Sequence, residues 1–229
     1  MLRMSQQPAP RVKSAKPKRR AAEIVAAAAQ VFARRGYHGA STQDIADVLG
    51  IRQASLYYYF DSKEAALEAV CTEGMRDYAL RAQRVHRSHD SGAAKVGALV
   101  FHHLAPMADK LDFTLVFLRE RRFLPAPARK RLGVMERRYE RYVEKIIRDA
   151  VDSGEFRDDL DPRMATLALL GLGNAAALWV GREPGMTVER ITRDYVDLLL
   201  RAFRDDTPKP ARRRAARSKD RLPEEEEMT

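Results

Sequence analysis

This chain of 229 residues is poor in cysteine, in aromatic side chains and in long apolar runs. Its single cysteine, Cys71, excludes an intramolecular disulfide and fits a reducing cytoplasm. No apolar run reaches the roughly eighteen residues that a membrane-spanning helix needs, and the basic N-terminus lacks the apolar segment of a secretion signal. A glycine-rich phosphate loop is also missing. These absences predict a cytoplasmic protein of ordinary globular composition, 45% hydrophobic and 32% charged.

Positive charge is concentrated at the N-terminus. The formal net charge is +10, and residues 1–20 contain seven lysines or arginines and no acidic residue. We predict a basic disordered arm at 1–17, which either neutralises nucleic-acid phosphates or is a solvated leader. Residues 205–229 carry basic and acidic blocks with almost no large apolar side chain, which predicts a second disordered segment. A solvated tail is favoured there over contact with DNA or a partner.

Between these ends, the hydrophobic spacing is helical and no segment alternates as a strand does. We therefore predict an all-α fold of about nine helices, separated by glycine, proline and polar breaks. The predicted helices cover residues 18–35, 42–49, 52–60, 63–85, 93–107, 112–122, 128–153, 162–180 and 188–204.

The stretch 43–64 combines a short helix, a glycine turn and a second short helix. Ser41 or Thr42 is expected to cap the first helix, and Gly50 suits a left-handed C-cap at which the chain turns sharply. The first helix has an apolar face of Ile45, Ala46, Val48 and Leu49. In the second, Leu56 and Phe60 point inward, whereas the outward residues are Arg52, Gln53, Ser55, Tyr57 and Tyr58. This pattern is typical of a helix-turn-helix that lays its second helix in the DNA major groove.

Residues 17–70 resemble the DNA-binding domain of the TetR family of repressors. The resemblance is carried by FARRGYHGAST, QDIADVLGI and ASLYYYFDSKEAALEAV, all in one register. It implies an N-terminal helix-turn-helix domain at 18–64, a linking helix at 63–85 that begins inside it, and a C-terminal effector-binding and dimerisation domain at 65–204. The implied function is that of a homodimeric repressor, released from a palindromic double-stranded operator by a small hydrophobic effector.

The resemblance also implies which residues contact DNA. These are Thr42, Gln43, Arg52, Gln53, Ser55, Tyr57, Tyr58 and Lys63. Tyr57 and Lys63 match family positions that hold backbone phosphates, whereas Gln53 and Ser55 match those nearest base edges. Arg52 stands where the family often has serine, and it is expected to reach a phosphate or a guanine edge.

Two apolar helices near the C-terminus predict a dimer interface. Residues 164–180 are apolar nearly all round, and small residues there would permit close helix approach: Gly171, Gly173, Ala175 and Ala176. The last helix would add Ile191, Tyr195, Leu198, Leu199 and Ala202. The alternative is that these residues form core within one monomer. A dimer is favoured because one recognition helix contacts too few bases to be selective.

The C-terminal part resembles, more loosely, a TetR subgroup that responds to acyl-CoA thioesters. The resemblance is carried by VFLRERRFLPAPARKRL, SGEFRDDLDPRMATLALLGLGNAAALW and TVERITRDYVDLLL. It implies a pocket lined by Phe113, Phe117, Tyr139, Asn174, Leu178 and Trp179. Phosphates of the CoA moiety would meet Arg119, Arg121 and Arg122. The alternative for each is an ordinary one, aromatic core or a solvated basic face.

Two other functional classes remain as alternatives. A metal-dependent enzyme would draw on His86, His89, His102 and His103 with Glu73 or Asp90, but this spacing matches no zinc motif. We therefore predict no metal, no cofactor and no catalytic residue. A ligand-independent DNA-binding protein is the other alternative. The long series of apolar, broken helices behind the DNA-binding part argues against it.

Overall fold

The computed structural model describes residues 16–204, which contain ten α-helices and no strand. The helices are α1 (Lys16–Gly39), α2 (Thr42–Val48), α3 (Gln53–Leu56), α4 (Lys63–Met75), α5 (Tyr78–Arg87), α6 (Gly92–Leu104), α7 (Leu111–Glu120), α8 (Ala126–Asp152), α9 (Pro162–Ala176) and α10 (Val188–Phe203). The predicted all-α class is confirmed. The arm predicted at 1–17 and the tail predicted at 205–229 lie outside the described residues, apart from positions 16 and 17, where α1 begins.

The predicted linking helix at 63–85 is two helices rather than one. α4 ends at Met75 and α5 begins at Tyr78, with a two-residue turn between them. Gly74 lies immediately before the break, where its low helix propensity weakens the last turn of α4. Counting this bent pair as one helix gives the nine that were predicted. The helix predicted at 162–180 likewise stops early, at Ala176, and continues as turns.

Several helices begin at capping side chains, and the first of these, Ser41, is one of the two residues that the sequence predicted. The Ser41 side chain accepts from the backbone N–H of Asp44, whose carboxylate accepts from the backbone N–H of Ser41 in return. Ser62, Asp161 and Thr187 cap α4, α9 and α10 through side-chain oxygens. These local hydrogen bonds satisfy backbone donors that a helix start leaves free, so they determine where the helices begin.

The first four helices share one core, and α7 joins it to the rest of the molecule. Ile24, Phe32, Ile45, Leu56 and Leu67 are fully buried in this core, hereafter the head. α7 packs against both α1 and α4. Behind it, α6 lies among α5, α8, α9 and α10. Within residues 16–204, each helix is either too short or too polar to reach across a lipid bilayer.

Candidate functional site

The helix-turn-helix predicted from the sequence is formed by α2 and α3. Gly50 adopts a φ of 62°, and the N–H of Ile51 donates to the Ala46 carbonyl at 3.1 Å. Leu56 and Phe60 are buried, as predicted. Val48, predicted to point inward, is instead 49% exposed. At 3.6 residues per turn, the buried arc of α2 runs from Ile45 through Leu49 to Ala46, and Val48 falls outside it.

α3 and its C-terminal extension present polar and aromatic side chains to solvent. Tyr58 is 90% exposed, and Tyr57 and Arg52 are exposed beside it. Ser55 is half-buried, as are Gln53 and Thr42, which join the starts of α3 and α2 through a 2.7 Å hydrogen bond from Nε2 to Oγ1. Tyr59, which the sequence analysis did not select, is also exposed.

Two predicted contact residues are held by neighbours within the head. The amide of Gln43 donates to Asp47 at 2.6 Å. Lys63 donates from Nζ to the carbonyls of Tyr37 and Ala40, each at 2.9 Å, and lies 4.4 Å from the centre of the Tyr37 ring. Two of the three ammonium protons of Lys63 therefore fix the connection between α1 and α2, which leaves one for an outside acceptor.

Tyr37 connects the head to α7. Its hydroxyl donates to Glu64, a hydrogen bond that lowers the pKa of Glu64, while burial raises the pKa of Tyr37 to about 12. The backbone N–H of Tyr37 donates to Glu120 Oε2 at 2.9 Å. Phe123 stacks on the Tyr37 ring at 5.4 Å and meets His38 edge-on at 4.4 Å. The end of α7 and the turn after it are thus attached to the end of α1.

A cavity of about 280 Å³ lies between α4, α5, α6, α7, α8 and α9. Three residues predicted for the effector pocket line it: Phe117, Tyr139 and Asn174. The others lie elsewhere: Phe113 is buried beside α4, Trp179 packs edge-on against Tyr195, and Leu178, Arg119 and Arg122 are exposed. The structure adds lining residues that the sequence did not assign to the pocket: Gly74, Met75, Tyr78, His103, Thr114, Glu136, Glu140, Leu167, Leu170 and Gly171.

His103 lies at the centre of the buried polar wall of this cavity. Its Nε2 is 3.2 Å from Asn174 Oδ1 and its Nδ1 is 3.1 Å from the Tyr139 hydroxyl. Tyr78 donates to the His103 carbonyl at 3.2 Å. Gly173 makes room for the ring, since a Cβ there would lie 2.4 Å from His103 Cδ2. His103, which the sequence suggested only as a possible metal ligand, is therefore part of the cavity wall.

Burial lowers the pKa of His103 to about 4, although the hydrogen bond to Asn174 opposes the change. In the unfolded chain the pKa of His103 returns to its ordinary value of 6.5. Between pH 6.5 and about 4, the unfolded chain therefore binds a proton at His103 and the folded protein does not. The free energy of unfolding should therefore be highest above pH 6.5 and fall by roughly 3 kcal/mol as the pH drops towards 4. Urea unfolding at a series of pH values measures this fall.

The variant His103→Gln keeps a neutral hydrogen-bonding side chain and removes the titration. We expect it to flatten the pH dependence of stability by about one proton between pH 6.5 and 4. An identical slope in the variant and the parent protein would show that His103 is not the group responsible.

Two ion pairs border the outer part of the cavity. Arg121, on the wall, pairs with Glu136 and lies over the Phe117 ring at 4.8 Å. Arg163 pairs with Glu140 at 2.9 Å. Leu167 and Gly171 on α9 are solvent-exposed lining residues, so the cavity opens beside that helix. Of the three arginines predicted to meet phosphates, only Arg121 borders the cavity.

α9 and α10 carry an apolar surface that no described residue covers. Large exposed side chains on it are Met164, Leu167 and Leu198, with Leu178 just beyond the end of α9. Part of the predicted interface is turned inward instead: Gly173, Ala176, Ile191 and Leu199 are buried in this chain's own core. α9 is apolar on two sides, so one side packs on the chain and the other remains exposed, whereas on α10 Leu198 is exposed beside charged side chains such as Asp194 and Asp197.

The described residues offer no arrangement suited to metal-dependent or thiol chemistry. Between residues 16 and 204, no three histidine, cysteine or acidic side chains converge as metal ligands would. His86 and His103 have different partners: His86 Nε2 lies 3.2 Å from Asp149, whereas His103 contacts Tyr139 and Asn174 in the cavity wall. Burial raises the pKa of Cys71 to about 12, so its thiol stays protonated and unreactive.

Known families and proteins match almost all of the described chain. Residues 24–70 match the family described as "Bacterial regulatory proteins, tetR family", and residues 89–203 match "Tetracyclin repressor-like, C-terminal domain". The HTH-type transcriptional repressor KstR2 of Rhodococcus jostii (strain RHA1) is 26% identical over 182 residues, which cover 79% of this chain and 89% of that repressor.

Solved structures share the fold. The TetR family transcriptional regulator PfmR from Thermus thermophilus superposes with a TM-score of 0.73 at 27% identity, over 78% of this chain and 97% of its own. The transcriptional regulator FadR from Bacillus subtilis, whose crystal structure is a complex with stearoyl-CoA, has the same fold. Its TM-score is 0.65 at 23% identity, over 78% of this chain and 97% of its own.

Proposed function

This chain belongs to the TetR family of bacterial regulatory proteins, and on that premise we propose that it is a homodimeric repressor whose operator binding is released by an acyl-CoA thioester in the cavity. It is a DNA-binding transcriptional regulator and not an enzyme. We place its action in the cytoplasm, where its operator lies. The observation that carries the proposal is that α4 borders the cavity with one end and the helix-turn-helix with the other.

The DNA contacts that we propose are the eight residues identified from the sequence, on α2, on α3 and at the start of α4. Exposure suits Tyr58, Tyr57 and Arg52 to direct contact with bases or phosphates. The 2.7 Å bond between Gln53 and Thr42 supports a fixed position for the amide near the base edges. Ser55 and Gln43 complete the set, and Lys63 has one ammonium proton free for a phosphate.

The exposed apolar surface on α9 and α10 supports the homodimer. A two-fold pairing of these helices would bury Met164 and Leu198 of both subunits, which removes apolar area from water. It would also set two recognition helices side by side. Their spacing on a palindromic operator would be about 34–36 Å, one turn of DNA, or a multiple of it.

The effector class rests on the cavity and on the relative that binds such a ligand. A partly open space lined by Phe117, Tyr139, Met75 and Leu170 suits an acyl group. The phosphates of CoA would stay outside, where Arg119 and Arg122 are exposed and Arg121 borders the opening. FadR from Bacillus subtilis, which shares this fold, was crystallised with stearoyl-CoA.

The positions of the proposed DNA contacts, cavity and subunit interface divide the chain into two domains. We propose 18–64 as the DNA-binding domain and 65–204 as the effector-binding and dimerisation domain.

The cavity is connected to the head by two routes. Gly74 and Met75 on α4 line the cavity, whereas Lys63 and Glu64 at the other end of α4 hold the end of α1. On α7, Phe117 lines the cavity, and Glu120 one turn later accepts the backbone N–H of Tyr37. A ligand that shifts α4 or α7 would therefore tilt the head and move the two recognition helices out of register with successive grooves.

Operator affinity with and without acyl-CoA tests this proposal. A ligand releases DNA only if it prefers the state that does not bind DNA, and a preference of about 2 kcal/mol would weaken operator binding by roughly thirtyfold. The operator is first found by footprinting the DNA upstream of the protein's own gene. Fluorescence anisotropy with that operator then gives the affinity across a panel of acyl-CoA chain lengths. Equal affinities across the panel would remove the acyl-CoA proposal and leave the DNA-binding regulator intact.

A pair of variants tests the link through α7. Glu120→Ala removes the carboxylate that accepts the Tyr37 N–H, so the effector should still bind while the thirtyfold release shrinks. Glu155→Ala is the matched control, because Glu155 also accepts backbone N–H groups, at the start of α6, away from the head. Loss of release in both variants would show that general destabilisation, rather than the α7 contact, is responsible.

A further inference from the structure

The chemistry of the inner cavity wall narrows the effector beyond the acyl-CoA class. We infer that the cavity selects a short acyl group with a neutral oxygen, a hydroxyl or a keto group, which accepts a hydrogen bond from the side-chain amide of Asn174. This inference rests on the proposed effector class, and its test separates the two.

Cavity size sets the first limit. The volume is about 280 Å³, below the roughly 300–1,000 Å³ of pockets that hold drug-sized ligands. A space of this size suits a short acyl group better than a straight chain of about eighteen carbons, for which several wall side chains would have to repack. Short acyl groups fit without such a change.

The polarity of the inner wall sets the second limit. Five hydrogen-bonding side chains line it: Tyr78, His103, Thr114, Tyr139 and Asn174. Tyr78, His103, Thr114 and Tyr139 already have hydrogen-bond partners within the protein, so a hydrocarbon tail here would leave the amide N–H groups of Asn174 without water or a partner. A group with a hydrogen-bonding atom at this end of the cavity would avoid that cost.

Hydrogen-bond pairing shows which atom is left for a ligand. Asn174 Oδ1 can only accept, so His103 Nε2 carries the ring proton, and Nδ1 accepts from the Tyr139 hydroxyl. Tyr78 donates to the His103 carbonyl and is also hydrogen bonded to Thr114. Among residues 16–204, the Nδ2 of Asn174 makes no hydrogen bond. Its two N–H groups are donors, so the complementary ligand atom is an acceptor.

The charges of the wall favour a neutral acceptor over a carboxylate. Glu136 and Glu140 line the cavity and are already paired with Arg121 and Arg163. His103 is neutral near pH 7 because burial lowers its pKa to about 4. A ligand carboxylate at the inner end would therefore lose its hydration and find no cation among the five polar side chains there. A hydroxyl or keto oxygen meets no such penalty.

Calorimetric titration of the full-length protein with four probes tests the inference. The probes are butyryl-CoA, 3-hydroxybutyryl-CoA, acetoacetyl-CoA and stearoyl-CoA. We expect the two oxygen-bearing thioesters to bind about fivefold more tightly than butyryl-CoA, the size of one added hydrogen bond, and stearoyl-CoA to bind most weakly. Binding of stearoyl-CoA at least as tight as that of butyryl-CoA, or no gain from the added oxygen, would overturn the inference and keep the effector class. Failure of all four probes would overturn both.

Two wall variants identify the donor. Asn174→Asp keeps the oxygen that accepts from His103 and replaces the N–H donors with a second oxygen, so the fivefold preference for acetoacetyl-CoA, whose keto oxygen can only accept, should vanish. Thr114→Val is the matched control, since it removes another wall hydroxyl but leaves the Asn174 amide in place, and the preference should remain. A preference for acetoacetyl-CoA that survives Asn174→Asp would assign the selection to a different group and refute the role of Asn174.

Discussion

Replacing Leu198 with aspartate is expected to separate the dimer into monomers and to weaken operator binding at least a hundredfold. Leu198 is 53% exposed on α10, within the apolar surface that we assign to the subunit interface. An unpaired carboxylate buried there costs about 4 kcal/mol, and a two-fold interface contains the change twice. A dimerisation constant reduced by about a thousandfold or more leaves monomers at micromolar concentration. Sedimentation velocity measures the subunit state, and anisotropy with the palindromic operator measures the loss of affinity.

Leu80→Asp is the matched control for this experiment. Leu80 is 45% exposed on α5, outside the α9 and α10 surface, so the same substitution there tests the cost of an added charge without touching the proposed interface. We expect this variant to remain dimeric and to bind the operator normally. A Leu198→Asp protein that stays dimeric with full affinity would place the interface on another surface.

Tyr58→Ala is expected to weaken operator binding by about a hundredfold while the folded protein keeps its stability. Tyr58 is 90% exposed, and truncation of an exposed side chain usually changes the free energy of unfolding by less than about 0.5 kcal/mol. The loss at each half-site is expected to be 1–2 kcal/mol, roughly, and the dimer contacts two half-sites, so the losses add. Thermal unfolding and operator titration measure the two effects separately. The variant should also change the preferred operator sequence.

Two further variants show what the Tyr58 result means. Tyr58→Phe keeps the ring and removes the hydroxyl, so it divides the loss between stacking or apolar contact and hydrogen bonding. Lys63→Ala provides the contrast, because it releases the carbonyls of Tyr37 and Ala40 and should lower both thermal stability and affinity, equally on all DNA sequences. Full operator affinity in Tyr58→Ala would remove this residue from the DNA contacts.

The head could be predicted closely from the sequence because its determinants are local. Ser41 and Asp44 are three residues apart and cap each other, and Gly50 occupies a backbone conformation that other residues rarely adopt. Leu56, at the end of α3, and Phe60, beyond it, are both buried, as their spacing of four predicted, although α3 stops at Leu56 and not at the predicted residue 60. Val48 was misplaced because α2 has only seven residues, too few for its apolar spacing to define which arc is buried.

The cavity was predicted only in part because its walls come from six helices. Phe117, Tyr139 and Asn174 were identified, but His103 was weighed only as a metal ligand, and its partners are 36 and 71 residues away in sequence. Leu178 and Trp179 were assigned to the pocket by the loose resemblance of the C-terminal part, which does not fix the neighbours of individual side chains: Leu178 is exposed, and Trp179 packs against Tyr195. Lys63 was assigned to a phosphate, and nothing in its own sequence context indicated the carbonyls that hold it.

The sequence by itself determined that this protein is all-helical, where most of its helices begin, and that α2 and α3 form a helix-turn-helix, since capping, glycine turns and helical periodicity act over a few residues. Only the tertiary structure decided which apolar side chains of α9 and α10 are exposed, which polar groups share the cavity wall, and that the end of α7 is attached to the end of α1. These features depend on contacts between residues far apart in the chain, whose partners are fixed by how whole helices pack rather than by local spacing.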